Sequence, residues 1–170
     1  MKNTIYLLIV LIVTFGCSPD KIEPAYDSIE LAYSSGGTGA FSLTIDSSNV
    51  VRKCEYKIIS EIESTECYYG TLSQNSIDSL NYFVNKLKEA KPDTLYDSMC
   101  QDCSWYIIKV SEGGTTMKSE VVGDNHKNLI DSLANFIIKR SRSMQNRVDS
   151  TYTFKLTSRL VPKLPPRIEK

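Results

Sequence analysis

The stretch AFSLTIDSSNVVRKCEYKII, residues 40–59, decides the fold. In its first seven residues Phe41, Leu43 and Ile45 alternate with Ser42, Thr44 and Asp46. Period-two alternation of this kind marks a strand with one buried face. Ser47-Ser48-Asn49 supplies turn residues, and Val50 to Ile59 returns as a longer strand. Two such runs joined by so short a turn make an antiparallel hairpin.

The same signals repeat on either side. Upstream, Ser28 to Ser34 reads as a strand with Ile29, Leu31 and Tyr33 on one face, and Ser35-Gly36-Gly37-Thr38-Gly39 as a turn-rich loop. Downstream, the residues around Cys67 to Leu72 read as a fourth strand. Ser73 then caps a helix in which Ile77, Leu80, Val84 and Leu87 follow at three- and four-residue steps, and Pro92 ends it. Past a loop carrying Cys100 and Cys103, Ser104 to Val110 reads as a strand. Glu112-Gly113-Gly114 is a hairpin turn, and Thr116 to Val122 is the return strand. A second helix is expected to begin near Asp124 or Asn125, with Leu129, Leu133, Phe136, Ile137 and Arg140 along one side. Tyr152, Phe154 and Leu156 alternate in the tail from Asp149 as an edge strand.

The order is ββββαββα(β), dominated by hairpins and without a βαβ repeat. This predicts an α+β fold, an antiparallel sheet with two packed helices. The boundaries read as a signal peptide over 1–16, a cysteine and polar tether over 17–27, one domain over 28–157 and a proline-rich tail over 158–170. The chain has 170 residues, 41% of them hydrophobic and 24% charged, which is the composition of a globular protein. Lysine plus arginine equals aspartate plus glutamate at 20 each. There is thus no basic field for nucleic acid.

Met1-Lys2-Asn3 is a short positive segment, and Ile5 to Phe15 is an apolar run interrupted only by Thr14. The run falls short of the roughly 20 residues of a spanning helix and has the length of a signal-peptide core. It ends in Thr14-Phe15-Gly16-Cys17, which resembles the lipobox of bacterial lipoproteins. Gly16 matches the small residue before the cysteine. Thr14 and Phe15 depart from the leucine and the small residue preferred there, as in the looser boxes of Bacteroidetes. The resemblance implies cleavage before Cys17, a diacylglyceryl group on its sulfur and a fatty acyl chain such as palmitate on its amine. Ser18 stands where inner-membrane retention signals carry aspartate, which implies the outer membrane of the cell envelope. The membrane, reached through the N-terminal lipid, is then one partner.

Ile29-Glu30-Leu31, Ser35 to Ala40 and Phe41-Ser42-Leu43-Thr44-Ile45 carry a second resemblance. They are similar to the opening motif I-x-L-x-R-x-x-C-F-G-T-C-P-x-Y-x-L-x-I of a family of small bacterial domains of unknown function. The order of later elements follows that family from Ser28 to Arg140. The family's two loop cysteines would fall on Ser35 and Gly39, so that pair is absent. The resemblance implies a fold and no activity.

Besides Cys17, the cysteines are Cys54, Cys67, Cys100 and Cys103. An even number in an exported domain points to disulfides, with three possible pairings. If Cys54 and Cys67 lie on the two arms of one hairpin turning between Ser60 and Glu61, they stand opposite each other within reach of a bridge. Cys100 and Cys103 would close the loop before the next strand. Alternatively, Cys100-Gln101-Asp102-Cys103 is a redox pair. Such a pair needs a helix N-terminus to lower the thiol pKa, and a strand follows here. A zinc site would draw on all four cysteines.

Other chemistry is sparse. His126 falls in the first turn of the expected second helix, as a solvated surface group. No nucleophile elbow, zinc-protease motif or phosphate loop is present. The Ser35–Gly39 amides offer an anion nest or a plain connection, and Asp97, Asp102 and Asp124 lack EF-hand spacing. Tyr68, Tyr69, Tyr82, Tyr96, Trp105 and Tyr106 form either a binding face or core. No catalytic residue, cofactor or metal is assigned. The expectation is a lipid-anchored envelope accessory domain, non-catalytic, with an envelope protein or a glycan as partner. The alternative is a thiol-redox or metal-binding protein using Cys100 and Cys103.

Overall fold

A computed structural model of the chain describes residues 22–35, 39–59, 62–92, 95–97, 103–123, 128–142, 144 and 146–148. The elements are β1 (Ser28–Ser34), β2 (Ala40–Asp46), β3 (Val50–Ile59), β4 (Ile62–Thr71), α1 (Gln74–Ala90), β5 (Leu95–Asp97), β6 (Trp105–Glu112), β7 (Thr115–Val122), α2 (Leu129–Ser141) and β8 (Asn146–Val148). The fold is α+β, as the hairpin pattern predicts. One sheet runs in the order β5-β7-β6-β1-β2-β3-β4-β8. Every neighbouring pair is antiparallel except β5 and β7. None of the helices is long and apolar enough to cross a membrane, among the described residues.

Turn chemistry sets the hairpins. Asp46 closes the β2–β3 turn: its Oδ1 accepts from the backbone N–H groups of Ser48 and Val50 at 3.0 and 3.1 Å. Asn49 takes a left-handed φ of 62°, which asparagine tolerates better than most residues. Gly113 and Gly114, at φ 51° and 79°, make the two-residue turn between β6 and β7. Both central residues of such a turn need positive φ, and glycine adopts it without a Cβ clash.

The two helices cross the sheet in opposite senses. α1 carries the chain from β4, near one edge, to β5 at the far edge; α2 returns it from β7 to β8 beside β4. Ser73 holds the N-cap position of α1, but its hydroxyl bonds the Ser76 hydroxyl and no backbone N–H. At the other end Lys91, at φ 45°, donates its N–H to Leu87 O and closes the helix one residue before Pro92. The second helix starts later than the sequence predicts. Its cap is Asn128, not Asp124 or Asn125, and the Asn128 Oδ1 accepts from Asp131 N at 2.7 Å. Asp124, Asn125 and His126 lie outside the described residues.

Register carries one face of each strand under the helices. Ile29, Leu31 and Tyr33 of β1 stand opposite Ile45, Leu43 and Phe41 of β2 and Val110, Ile108 and Tyr106 of β6. Leu80, Val84 and Leu87 of α1 and Ile130, Leu133 and Ile137 of α2 close over them in one buried cluster. Phe83 and Phe136, with ring centroids 5.7 Å apart, join the helices to each other. On the opposite face Ala32 and Ile107 are fully buried, with Trp105 packed beside them.

The segment before β1 is pinned to the domain. Asn81 on α1 accepts from Ala25 N and donates to Glu23 O, and Asp27 N–H donates to Ser111 O. Tyr26 is buried, and its hydroxyl donates to Asn49 Oδ1 at 3.3 Å. Burial, and then the nearby Asp46 carboxylate, push its phenol up from 10.0 to about 12. In the unfolded chain the phenol ionises near pH 10. Its contribution to stability is therefore complete below pH 10 and lost as pH rises toward 12. Urea unfolding midpoints should fall steeply across that window, and Tyr26→Phe should flatten the fall. An identical slope for the variant would refute this role.

Two tail readings meet different outcomes. A short edge strand does follow α2, but it is β8, three residues paired with β4. The strand expected from Asp149, with Tyr152, Phe154 and Leu156, lies outside the described residues, as do Cys17 and Cys100. β5 is a strand that the sequence reading places within a loop.

Candidate functional site

The hairpin of β3 and β4 brings Cys54 directly opposite Cys67, and the two form a disulfide. Their Cα atoms are 4.1 Å apart, close to the spacing of a non-hydrogen-bonded antiparallel pair. The pairing of Ile59 with Ile62 is the register that a turn between residues 60 and 61 requires. Both cysteines are buried on the face away from the helices. With these sulfurs bonded to each other, a zinc site drawing on all four cysteines cannot form. Cys103, just before β6, is also disulfide-bonded. The strand that follows it gives no helix dipole of the kind a redox cysteine uses. Among the described residues, no cluster of three or more His, Cys, Asp or Glu side chains is placed to hold a metal.

The aromatic residues singled out from sequence do not gather. Tyr106 is buried under the helices, and Tyr96 and Tyr68 share its face of the sheet. Trp105 and Tyr69 lie on the opposite face, and the indole Nε1 of Trp105 is buried without a hydrogen-bond partner among the described residues. Tyr82 stands on α1, 60% exposed. Of the calcium candidates, Asp97 is on β5, while Asp102 and Asp124 lie outside the described residues. Ser35 closes its loop by donating from its N–H and its hydroxyl to Gly39 O, each at 3.0 Å.

The register instead builds a site that the sequence reading missed. Tyr106, Tyr33 and Phe41 are adjacent across β6, β1 and β2, and Glu55 continues the row on β3. Over this end of the sheet lies α2, with Asp131, Asn135, Ile138 and Arg142 at steps of four, three and four residues, one line along a helix. Sheet row and helix line enclose a cleft of about 470 Å³, within the range of small-molecule sites.

Its charges are arranged in pairs. Lys53 is 5% exposed, a depth at which lysine needs a partner. Its Nζ lies 2.6 Å from Glu55 Oε1 and 4.9 Å from the Phe41 ring centroid. Tyr33 and Phe41 stack, with centroids 5.2 Å apart. The Tyr106 hydroxyl donates to Asp131 Oδ1 at 2.7 Å, tying the first turn of α2 to the sheet. Burial raises the Tyr106 phenol well above its ordinary value, and the bonded Asp131 carboxylate raises it further. Tyr106 is therefore a fixed donor. The Tyr33 hydroxyl, the Asn135 amide and the Arg142 guanidinium have no hydrogen-bond or ion-pair partner among the described residues.

The Lys53–Glu55 pair makes an asymmetric prediction. Replacing Glu55 leaves an ammonium buried without its carboxylate, whereas replacing Lys53 with an apolar side chain leaves a carboxylate that is 29% exposed and that water can reach. Glu55→Ala should cost about 1–3 kcal/mol, and Lys53→Met less than about 1 kcal/mol. Chemical denaturation of both variants tests this, and equal losses would overturn the account.

The arrangement thus defines an α+β domain with a mostly antiparallel sheet, one helical layer, a cross-strand disulfide on the opposite face and a polar cleft at one end of the sheet. No family model and no curated protein matches the chain.

Proposed function

We propose that this chain is a lipid-anchored accessory protein of a bacterial cell envelope, that its domain is a non-catalytic binding module, and that the cleft beneath α2 is the binding surface. The observation that carries the compartment is the buried Cys54–Cys67 disulfide. Structural disulfides persist in exported proteins and are rare where thiols are kept reduced. It agrees with the signal-peptide pattern that ends at Cys17.

The geometry of attachment supports the choice of surface. Ile22 lies beside the Ser47–Asn49 turn, around a second cleft of about 460 Å³. That turn is at the opposite end of the strands from Tyr33, Phe41 and Tyr106. Cys17 is five residues before Ile22, a reach of at most about 18 Å. A lipid on Cys17 would hold the Ser47–Asn49 end toward the membrane and leave the cleft under α2 facing away. The cleft presents groups that orient a ligand: the Tyr106 hydroxyl held by Asp131, the Tyr33 hydroxyl and the Asn135 amide.

The test is the mass of the chain extracted from membranes and alkylated without reductant. The expected species starts at Cys17, carries two or three acyl chains and takes no alkyl group on Cys54 or Cys67. A full-length chain without lipid would overturn the anchoring.

A further inference from the structure

We infer that the cleft beneath α2 is a saccharide subsite selective for a sugar bearing a carboxylate, a uronate or a sialate. This rests on the reading of the domain as a binding module and names its ligand class. Three observations carry it.

The first is which polar groups are left over. Lys53 is paired with Glu55 and Asp131 holds the Tyr106 hydroxyl, so those charges are compensated within the chain. Arg142 lacks a partner among the described residues, which leaves the cleft with one unpaired cation. A guanidinium is a planar fork matched to a carboxylate, which it binds through two parallel hydrogen bonds.

The second is the body of the ligand. The Tyr33 hydroxyl and the Asn135 amide provide donors and acceptors that no other described residue uses, beside the Asp131 carboxylate. Such a set satisfies hydroxyl groups, and burying an apolar side chain against it would leave these groups unpaired. Phe41 offers no open platform, since its ring is stacked on Tyr33 and covered by the Lys53 ammonium. Selectivity then comes from hydrogen bonds and the guanidinium, not from stacking.

The third is size. A stable protein partner covers about 800 Å² on each side. A recess of about 470 Å³ between one row of strands and one line of α2 fits a ligand of one or two rings.

The experiment uses the full mature chain in detergent micelles against an array of acidic and neutral oligosaccharides, followed by titration with the best acidic ligand and its neutral counterpart. Wild type should bind uronate- or sialate-bearing glycans saturably and the neutral counterpart at least tenfold more weakly. Arg142→Gln should lose tenfold or more for the acidic ligand and little for the neutral one. Asn135→Ala should weaken both. Arg142 and Asn135 are exposed, so both variants should keep the wild-type unfolding midpoint. Binding to no acidic glycan, equal binding of acid and neutral, or an unchanged Arg142→Gln would each overturn the assignment. The lipid mass on Cys17 is read separately, so an anchored chain that binds no acidic sugar sinks this inference and leaves the anchoring standing.

Discussion

Replacing Cys54 and Cys67 together with alanine should lower the unfolding free energy by about 3 kcal/mol and the midpoint of thermal unfolding by about 10 °C. The two residues are 13 apart in sequence. Linking positions at that distance removes loop-closure freedom from the unfolded chain, worth about 3 kcal/mol for a loop of roughly 15 residues. The folded state loses less, because β3 and β4 remain paired along their whole length. Both side chains are buried, so the alanines also leave a small void in a packed face. The measurement is urea denaturation of the double variant beside the oxidised wild type. A loss under about 1 kcal/mol would mean that the paired strands already restrain the unfolded chain as the bridge does. Full reduction of wild type in urea should lose at least as much, because it also opens the disulfide at Cys103. In native buffer the bridge should resist reduction, because neither sulfur is open to a thiolate.

That bridge was legible in sequence for a reason that does not extend to the cleft. A tight symmetric hairpin fixes which residues face each other, so Cys54 and Cys67 follow from counting outward from residues 60 and 61. The alternation of Phe41, Leu43 and Ile45 is equally local, and so is the apolar stripe of α1. β5 escapes the same reading because three residues show no period, and its parallel pairing with β7 is a long-range event. The start of α2 escapes because Asp124, Asn125 and Asn128 are all cap-forming residue types. The deciding signal is the spacing of Asn128 and Asp131, where the cap side chain meets the N–H three residues on. The buried residues of α2 are Ile130, Leu133, Ala134, Ile137 and Ser141, and Arg140 lies along the apolar side as expected, its guanidinium over the half-buried Phe136 ring. The cleft needs Tyr106, Tyr33 and Phe41 from three strands in one register and Asn135 and Arg142 from the helix above. The line Asp131, Asn135, Ile138, Arg142 was visible as a helical spacing. Nothing local says what lies beneath it.

The core makes the second large prediction. Leu31→Ala should cost about 3–5 kcal/mol, while Leu95→Ala should cost less than about 0.5 kcal/mol. Leu31 is fully buried on a central strand, flanked by Leu43 on β2 and Ile108 on β6, with the helical layer closing over the same cluster. Truncation removes its transfer free energy and opens a cavity. The flanking strands cannot close that cavity, because their ladders hold them in register on both sides. Leu95 is the same residue type on a strand as well, but it is 57% exposed on β5 at the sheet edge. Comparing the two cancels most of what the substitution does to the unfolded chain and to strand propensity, and leaves burial as the difference. Chemical denaturation of both variants reads it directly. Similar losses would mean that the sheet relaxes around Leu31 and that the core is held mainly by the helices. A gap of several kcal/mol would instead place the mechanical centre of the domain at β1, with the cleft lining of Tyr33 two residues further along the same rigid strand.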